Sequence, residues 1–161
     1  MESTGDDLFR RSLYTYRKRT VPHPQLTTFD APGFELCTVR RPSTNTPLQA
    51  LALLNGPTYL EAARHLARRM LDAGDAGDAD AGLTLGMRAV LSRPPSAEEL
   101  GVLRAALARH RAEFEADTLA AAELLGVGAT APPGRSRTPE WAAWTMVAST
   151  ILNLDEAITL R

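Results

Sequence analysis

Two short stretches of this chain carry side chains that could do chemistry. The first, RRSLYTYRKRT, mixes arginine and lysine with tyrosine, and its candidate residues are Arg10, Arg11, Tyr14, Arg17 and Arg19. The guanidinium group of arginine binds carboxylates or phosphates through paired hydrogen bonds, and tyrosine adds an aromatic ring for stacking and a hydroxyl group for hydrogen bonding. The stretch predicts either a surface for an anion, a sugar or a nucleic acid, or a structural segment whose arginines bind carbonyls and carboxylates.

The second stretch, CTVRRPSTNTPLQ, brings polar side chains to the start of a predicted helix. Its candidate residues are Cys37, Arg40, Arg41, Asn45 and Gln49, and Asp30 precedes it in the chain. The N–H groups at a helix N-terminus favour anions. We therefore expect at this junction either a bound ligand or an internal carboxylate, such as that of Asp30, in the place of the ligand.

The remaining reactive residues predict neither a metal site nor a cofactor. The three histidines share no ligand spacing, and His65 and His110 are expected on solvated helix faces. Cys37, the only cysteine, is expected to be a small buried residue rather than a nucleophile. No Cys-x-x-Cys-His motif occurs, so no haem is expected in this chain. The stretch DAGDAGDADAG lacks the glutamate of an EF-hand and predicts a flexible loop.

The composition predicts one helical domain over residues 1–161. Apolar residues make up 44% of the chain, and alanine and leucine, which lose little side-chain freedom in helices, dominate them. The net charge of −1 gives no overall attraction to nucleic acid or to an anionic membrane. No apolar run reaches the roughly 18 residues of a membrane span, and no signal-peptide pattern is visible.

The elements that must position the candidate residues divide the chain into three parts. We expect an irregular strap over residues 1–46, a core of about five helices over 47–154, and a short tail over 155–161. Residues 8–46 contain seven positive and two negative side chains, a net charge of +5. This charge would suit a nucleic acid, an interpretation that the near-neutral balance of the whole chain disfavours.

The predicted helices follow from capping boxes and apolar periodicity. Thr46-Pro47-Leu48-Gln49 and Ser96-Ala97-Glu98-Glu99 are two capping boxes. The first opens a short helix that is apolar almost all round and is therefore expected to be buried. Further helices are expected over about 57–72, 83–92, 97–125 and 139–152. In the helix over 57–72, an outward face is predicted for Glu61, Arg64, Arg68 and Arg69; only FELCTVR suggests an extended segment.

Six motifs follow one another along the chain: RRSLYT, FDAP, CTVRR, TNTPLQAL, LSRPPSAEEL and LNLDE. In combination they resemble the domain of unknown function DUF1553, also called the planctomycete-type PSD1 domain, and the resemblance covers residues from about 5 to 161. Gly56 stands where the family more often has a polar residue, and Ala157 stands where it has an aromatic one. We therefore expect a weaker cap on the second helix and a less anchored tail.

The resemblance implies a C-terminal module of a larger exported or periplasmic protein. Such domains follow a companion domain of unknown function, often with a cytochrome c-like domain near the N-terminus. No reaction carries over from the family. Our leading hypothesis is a non-catalytic module that packs against the companion domain and helps build its site. The alternatives are an enzyme or carbohydrate-processing component, with its site at Arg40, Arg41 and Asn45, and nucleic-acid binding by the strap.

Overall fold

The computed structural model describes residues 12–16, 18, 20–33, 37–40, 42–74, 78–130 and 139–159. Within these ranges the chain forms one 3-10 turn and eight α-helices, without a β-strand, so the all-α prediction is confirmed. The 3-10 turn is Ser12–Tyr14, and the helices are α1 (Pro24–Thr28), α2 (Pro47–Asn55), α3 (Pro57–Ala73), α4 (Ala79–Leu91), α5 (Ala97–Ala116), α6 (Thr118–Leu125), α7 (Pro139–Leu152) and α8 (Asp155–Ile158).

Both predicted capping boxes are confirmed. At α2, the Thr46 hydroxyl accepts a hydrogen bond from Gln49 N at 3.3 Å, and Gln49 Oε1 accepts one from Thr46 N at 2.9 Å. At α5, Ser96 Oγ accepts from Glu99 N at 3.2 Å, and Glu99 Oε2 accepts from Ser96 N at 2.7 Å. Each cap satisfies N–H groups that the first turn leaves without partners, and contributes about 1 kcal/mol.

Two helix boundaries differ from the sequence prediction. In each case an aspartate caps a helix at a position where no helix start was predicted. Helix α4 begins at Ala79 rather than near residue 83, since Asp78 Oδ1 accepts from Asp80 N at 3.1 Å. The predicted helix over 97–125 is two helices, because Asp117 leaves the helical conformation and its Oδ1 accepts from the first amides of α6. The described core therefore contains six helices, α2 to α7, where about five were expected.

Helix α7 lies at the centre of the core. It packs most extensively against α3 and next against α5, and its predicted apolar stripe is buried, including Trp141, Trp144 and Ile151. Helix α4 comes close to this centre at Gly82, where an added Cβ would lie 2.4 Å from Met70 O. Glycine is needed there because α3 leaves no room for a side chain. No helix in the described part of the chain is long and apolar enough to cross a membrane.

Candidate functional site

A cluster of three side chains fastens the strap to the start of α2. Asp30, whose φ of 58° is left-handed, accepts hydrogen bonds from Thr44 N at 2.8 Å and from the Thr44 hydroxyl at 2.9 Å. Gln49 Nε2 donates to Asp30 Oδ2 at 3.3 Å and to Thr44 Oγ1 at 3.2 Å. The Asp30 carboxylate therefore lies at the helix start, bound by groups of the chain itself.

Gln49 connects three elements through one amide. Its oxygen completes the cap of α2, while its nitrogen also donates to Thr28 O at the end of α1, at 2.9 Å. The side chain is 1% exposed, and its amide oxygen and nitrogen are both hydrogen-bonded. A buried amide whose hydrogen bonds are formed specifies one arrangement, because any other would leave polar atoms unpaired. Gln49 therefore fixes α1, the end of the strap and α2 relative to one another.

Asn45 takes part in a different contact from its neighbours. Its Nδ2 donates to Asp155 Oδ1 at 2.7 Å, which joins the end of the strap to the first residue of α8. The next residue of α8, Glu156, accepts from Arg93 Nη2 at 2.6 Å, and Arg93 also binds Glu99 of the α5 capping box at 2.8 Å. The short helix α8 is thus held to the strap and to the α4–α5 junction by polar contacts.

A cleft of about 260 Å³ opens beside the Asp30 cluster. Its walls come from the end of α1, the strap, α2 and α8, and its lining residues are Phe29, Asp30, Pro42, Ser43, Thr44, Gln49 and Ile158. This volume is slightly below the roughly 300–1,000 Å³ of typical ligand pockets. Asp30, Thr44 and Gln49 face the cleft, but they hydrogen-bond to one another.

The other described candidates do not join this cluster. Tyr14 and Arg40 are exposed, and Asn45 binds Asp155. Cys37 is exposed, so the expectation that it is a small buried residue is wrong; the three residues that follow it, 38–40, are exposed as well, so this part of the strap does not enter the core. Five candidates lie outside the described residues: Arg10, Arg11, Arg17, Arg19 and Arg41.

Helix α2 exposes an apolar face, although its composition predicted a buried helix. Leu48, Leu51 and Leu54 are 59%, 57% and 47% exposed, whereas Gln49 and Leu53 point to the interior. The three leucines recur at three-residue intervals and so share one side of the helix. The prediction failed because α2 packs only one side on α3 and α7, and the opposite side is equally apolar. The leucine face of α2, defined as Leu48, Leu51 and Leu54, is the most apolar helix surface left uncovered among the described helices.

Two charged residues of α3 that were expected to face outward are buried. Glu61 and Arg64 are 2% and 1% exposed. Arg64 Nη1 donates to Leu125 O at 2.6 Å and Val127 O at 3.0 Å, and its Nη2 donates to Thr130 O at 2.8 Å. The prediction of an outward face failed because the segment after α6 folds back over α3 and places its carbonyls there.

Glu61, one helical turn before Arg64, binds the same segment, and we call these two side chains with their contacts the buried clamp. Its carboxylate accepts hydrogen bonds from Ala129 N and Thr130 N, each at 3.0 Å, and from the Thr130 hydroxyl. Burial raises the pKa of the Glu61 carboxyl, but these hydrogen bonds and the charge of Arg64, 3.5 Å away, outweigh it and hold the pKa below its ordinary value. The carboxylate therefore stays ionised at neutral pH and pairs with Arg64.

One signal in the sequence could have found Arg64. It follows Leu60 by four residues and precedes Leu71 by seven, which places it on the same side of α3 as those two leucines. Glu61 lies a further 60° around the helix from Arg64 and carried no such signal. Its burial depends on a segment 68 residues away in the chain.

Of the two histidines on the core helices, one is exposed and the other is buried. His65 is exposed as predicted, but His110 is buried, and the prediction of a solvated position for it is wrong. His110 Nδ1 lies 2.8 Å from Glu113 Oε2, one turn along α5, so its polar edge has a local partner while its ring packs inward. Across the described ranges, no three His, Cys, Asp or Glu side chains are grouped as metal ligands would be.

Comparison with known proteins assigns this chain to a family. The model of the PSD1 family, described as protein of unknown function (DUF1553), matches residues 1–107. This is about two thirds of the 161 residues, and the chain therefore belongs to that family. No curated protein and no solved structure matches the chain. The matched part contains the strap and ends within α5, so α7 and the LNLDE motif lie beyond it.

Proposed function

We propose that this domain is a non-catalytic helical module that packs against a companion domain of a larger exported, cytochrome c-associated protein and helps to build that protein's site. The observation that supports packing is the exposed leucine face of α2. Large contiguous apolar surfaces on a folded domain mark sites of association. The export and the cytochrome association rest on the family resemblance alone.

The leucine face is large enough to matter energetically. Each of Leu48, Leu51 and Leu54 leaves about half of its surface in water. Burying the rest of such a side chain contributes about 1 kcal/mol, so the three together contribute about 3 kcal/mol. That corresponds to roughly a 100-fold change in a dissociation constant. The face can therefore account for a substantial part of a domain–domain contact.

The contacts at the start of α2 favour anchoring over catalysis. An enzyme site would need acid, base or binding groups aimed at a substrate in the cleft. Asp30, Thr44 and Gln49 are instead hydrogen-bonded to one another, and Gln49 also caps α2. Asn45 is used in holding α8. These contacts hold the end of the strap and α8 together at the start of α2, the helix that carries the leucine face, as a docking module requires.

The experiment is a binding titration of the full chain against the companion domain that precedes such modules in the family. Isothermal titration calorimetry is carried out with the wild type and with a triple variant, Leu48→Gln, Leu51→Gln and Leu54→Gln. Glutamine is a good helix former, so α2 is preserved. A matched control carries Val102→Gln and Leu119→Gln, which replace exposed apolar residues of α5 and α6.

We expect the wild type to bind and the triple variant to bind roughly 100-fold more weakly. The control should remain within about threefold of the wild type, since its substitutions remove apolar surface elsewhere. Absence of binding by the wild-type chain would refute the proposed module. Equal binding by the triple variant and the wild type would show that the leucine face is not the contact.

A further inference from the structure

A second surface, separate from the leucine face, lies between α3 and α4. It is a groove of about 580 Å³ whose apolar floor is formed by Ala81, Leu85 and Ala89. Arg69 of α3 and Arg88 of α4 line its edges. The volume falls in the range of roughly 300–1,000 Å³ that binding sites occupy.

The two arginines have no partner within the described residues. Asp80, which also lines the groove, is bound by Arg104 of α5 through both carboxylate oxygens. Neither Arg69 nor Arg88 makes a hydrogen bond or an ion pair in the described part of the chain. Arg88 lies in the last turn of α4, where its charge also suits the helix dipole. That position accounts for an arginine without a partner at Arg88, but not at Arg69.

The apolar residues that line the groove follow one another along α4, which suits an elongated apolar segment. From Ala81 to Ala89 the floor follows α4 for eight residues, or about 12 Å at the rise of an α-helix. Alanine side chains at both ends let a partner backbone come close, and Leu85 between them supplies an apolar contact. Two turns of an amphipathic helix match this length and surface.

We propose that the groove between α3 and α4 docks an amphipathic helix of a partner protein whose apolar face is bordered by aspartate or glutamate. Guanidinium groups bind carboxylates through paired hydrogen bonds, so the charge of the groove selects an acidic border. A second copy of this chain docked symmetrically would place each arginine near like charges. An anionic bilayer gains only about 1 kcal/mol for each basic residue, and two are too few for stable attachment.

The test begins with phage panning of a library of helical 14-residue peptides against the full chain. We expect the selected peptides to carry Asp or Glu beside an apolar stripe. The affinity of one selected peptide is then measured by fluorescence anisotropy with the wild type and with Arg69→Gln/Arg88→Gln. The double variant should raise the Kd about tenfold, and Ala81→Trp should abolish binding by filling the groove. Arg109→Gln, an exposed arginine of α5, is the matched control and should change the Kd less than twofold.

Four results would overturn the proposal. They are failure to select any peptide, selection of peptides without acidic residues, equal binding by the wild type and the double variant, and equal binding by Ala81→Trp. Two further measurements address the other occupants. Binding to phosphatidylserine vesicles that Arg69→Gln/Arg88→Gln removes, without peptide binding, would assign the groove to membranes. A dimer in light scattering that Ala81→Trp dissociates would assign it to a second copy.

Discussion

The buried clamp on α3 yields a strong prediction about stability. The substitution Arg64→Met keeps much of the length and apolar stem of the side chain but removes its guanidinium group. Hydrogen bonds to the carbonyls of Leu125, Val127 and Thr130 are lost together. The Glu61 carboxylate then stays in the interior without its positive partner.

The expected loss is large because both charges are almost fully buried. Removing one member of a buried ion pair typically costs about 3–5 kcal/mol, since the other charge is left uncompensated. This is a substantial share of the 5–15 kcal/mol by which a domain is usually stable. With a urea m value of about 2 kcal/mol/M, the unfolding midpoint should fall by roughly 2 M.

The assay is urea unfolding followed by circular dichroism at 222 nm. The matched control is Arg109→Met on α5, where the side chain is exposed and its ion pair with Glu113 spans 3.6 Å. Such surface pairs contribute about 0.5 kcal/mol or less, so the control midpoint should hardly move. A double variant, Glu61→Gln/Arg64→Met, should lose less than the sum of the two single losses, because the uncompensated charge is then absent.

Two outcomes would refute this reasoning. If Arg64→Met lost less than about 1 kcal/mol, the guanidinium would not be the buried clamp that its contacts indicate. If the losses of the two single variants simply added in the double variant, Glu61 and Arg64 would be acting independently rather than as a pair.

Three further predictions concern the close packing of α4, the cap of α5 and the hydrogen bonds of the Gln49 amide. Gly82→Ala should destabilise the fold by about 1–3 kcal/mol in urea unfolding, because its Cβ would lie 2.4 Å from Met70 O. Gly101→Ala, which meets nothing within 4 Å, should instead stabilise by about 0.5–1 kcal/mol. Arg93 and the Ser96 amide lower the pKa of Glu99 from 4.5 to about 2, so its stabilisation is present above pH 4.5 and lost as the pH falls towards 2. Glu99→Gln should flatten that part of the dependence of unfolding free energy on pH. Gln49→Leu should speed cleavage of the strap in limited proteolysis and lower the free energy of unfolding by about 2 kcal/mol, because the hydrogen bonds of its amide to Thr46 N and Thr28 O are lost. Thr46→Ala removes only the hydroxyl that accepts from Gln49 N and should cost about 1 kcal/mol.

The local features of the fold could be predicted well from the sequence. Capping boxes at Thr46 and Ser96 involve residues only three positions apart, so their geometry is set within one helical turn. The apolar stripe of α7 was predictable because its spacing follows the helical period. The family could also be recognised, since its motifs occur in order along the chain.

The candidate site was predictable only in part. Asp30 and Gln49 were named from the residue types near a helix start, and they do meet there. Their neighbour Asn45 binds α8 instead, 110 residues further along the chain. A contact between residues so far apart in the chain leaves no pattern in the local sequence. The sequence could therefore predict that polar residues gather at the start of α2, but not the partner of each side chain.

Sequence alone was sufficient for the helical class, the two helix starts that carry capping boxes and the family, because these depend on interactions within a few residues or on ordered motifs. The tertiary structure decided which helix faces became interior. It buried Glu61 and Arg64 by folding the segment after α6 over α3, and it left Leu48, Leu51 and Leu54 in water by packing α2 on one side only. Burial is set by which distant segments cover a face, and periodicity reports only that a face exists.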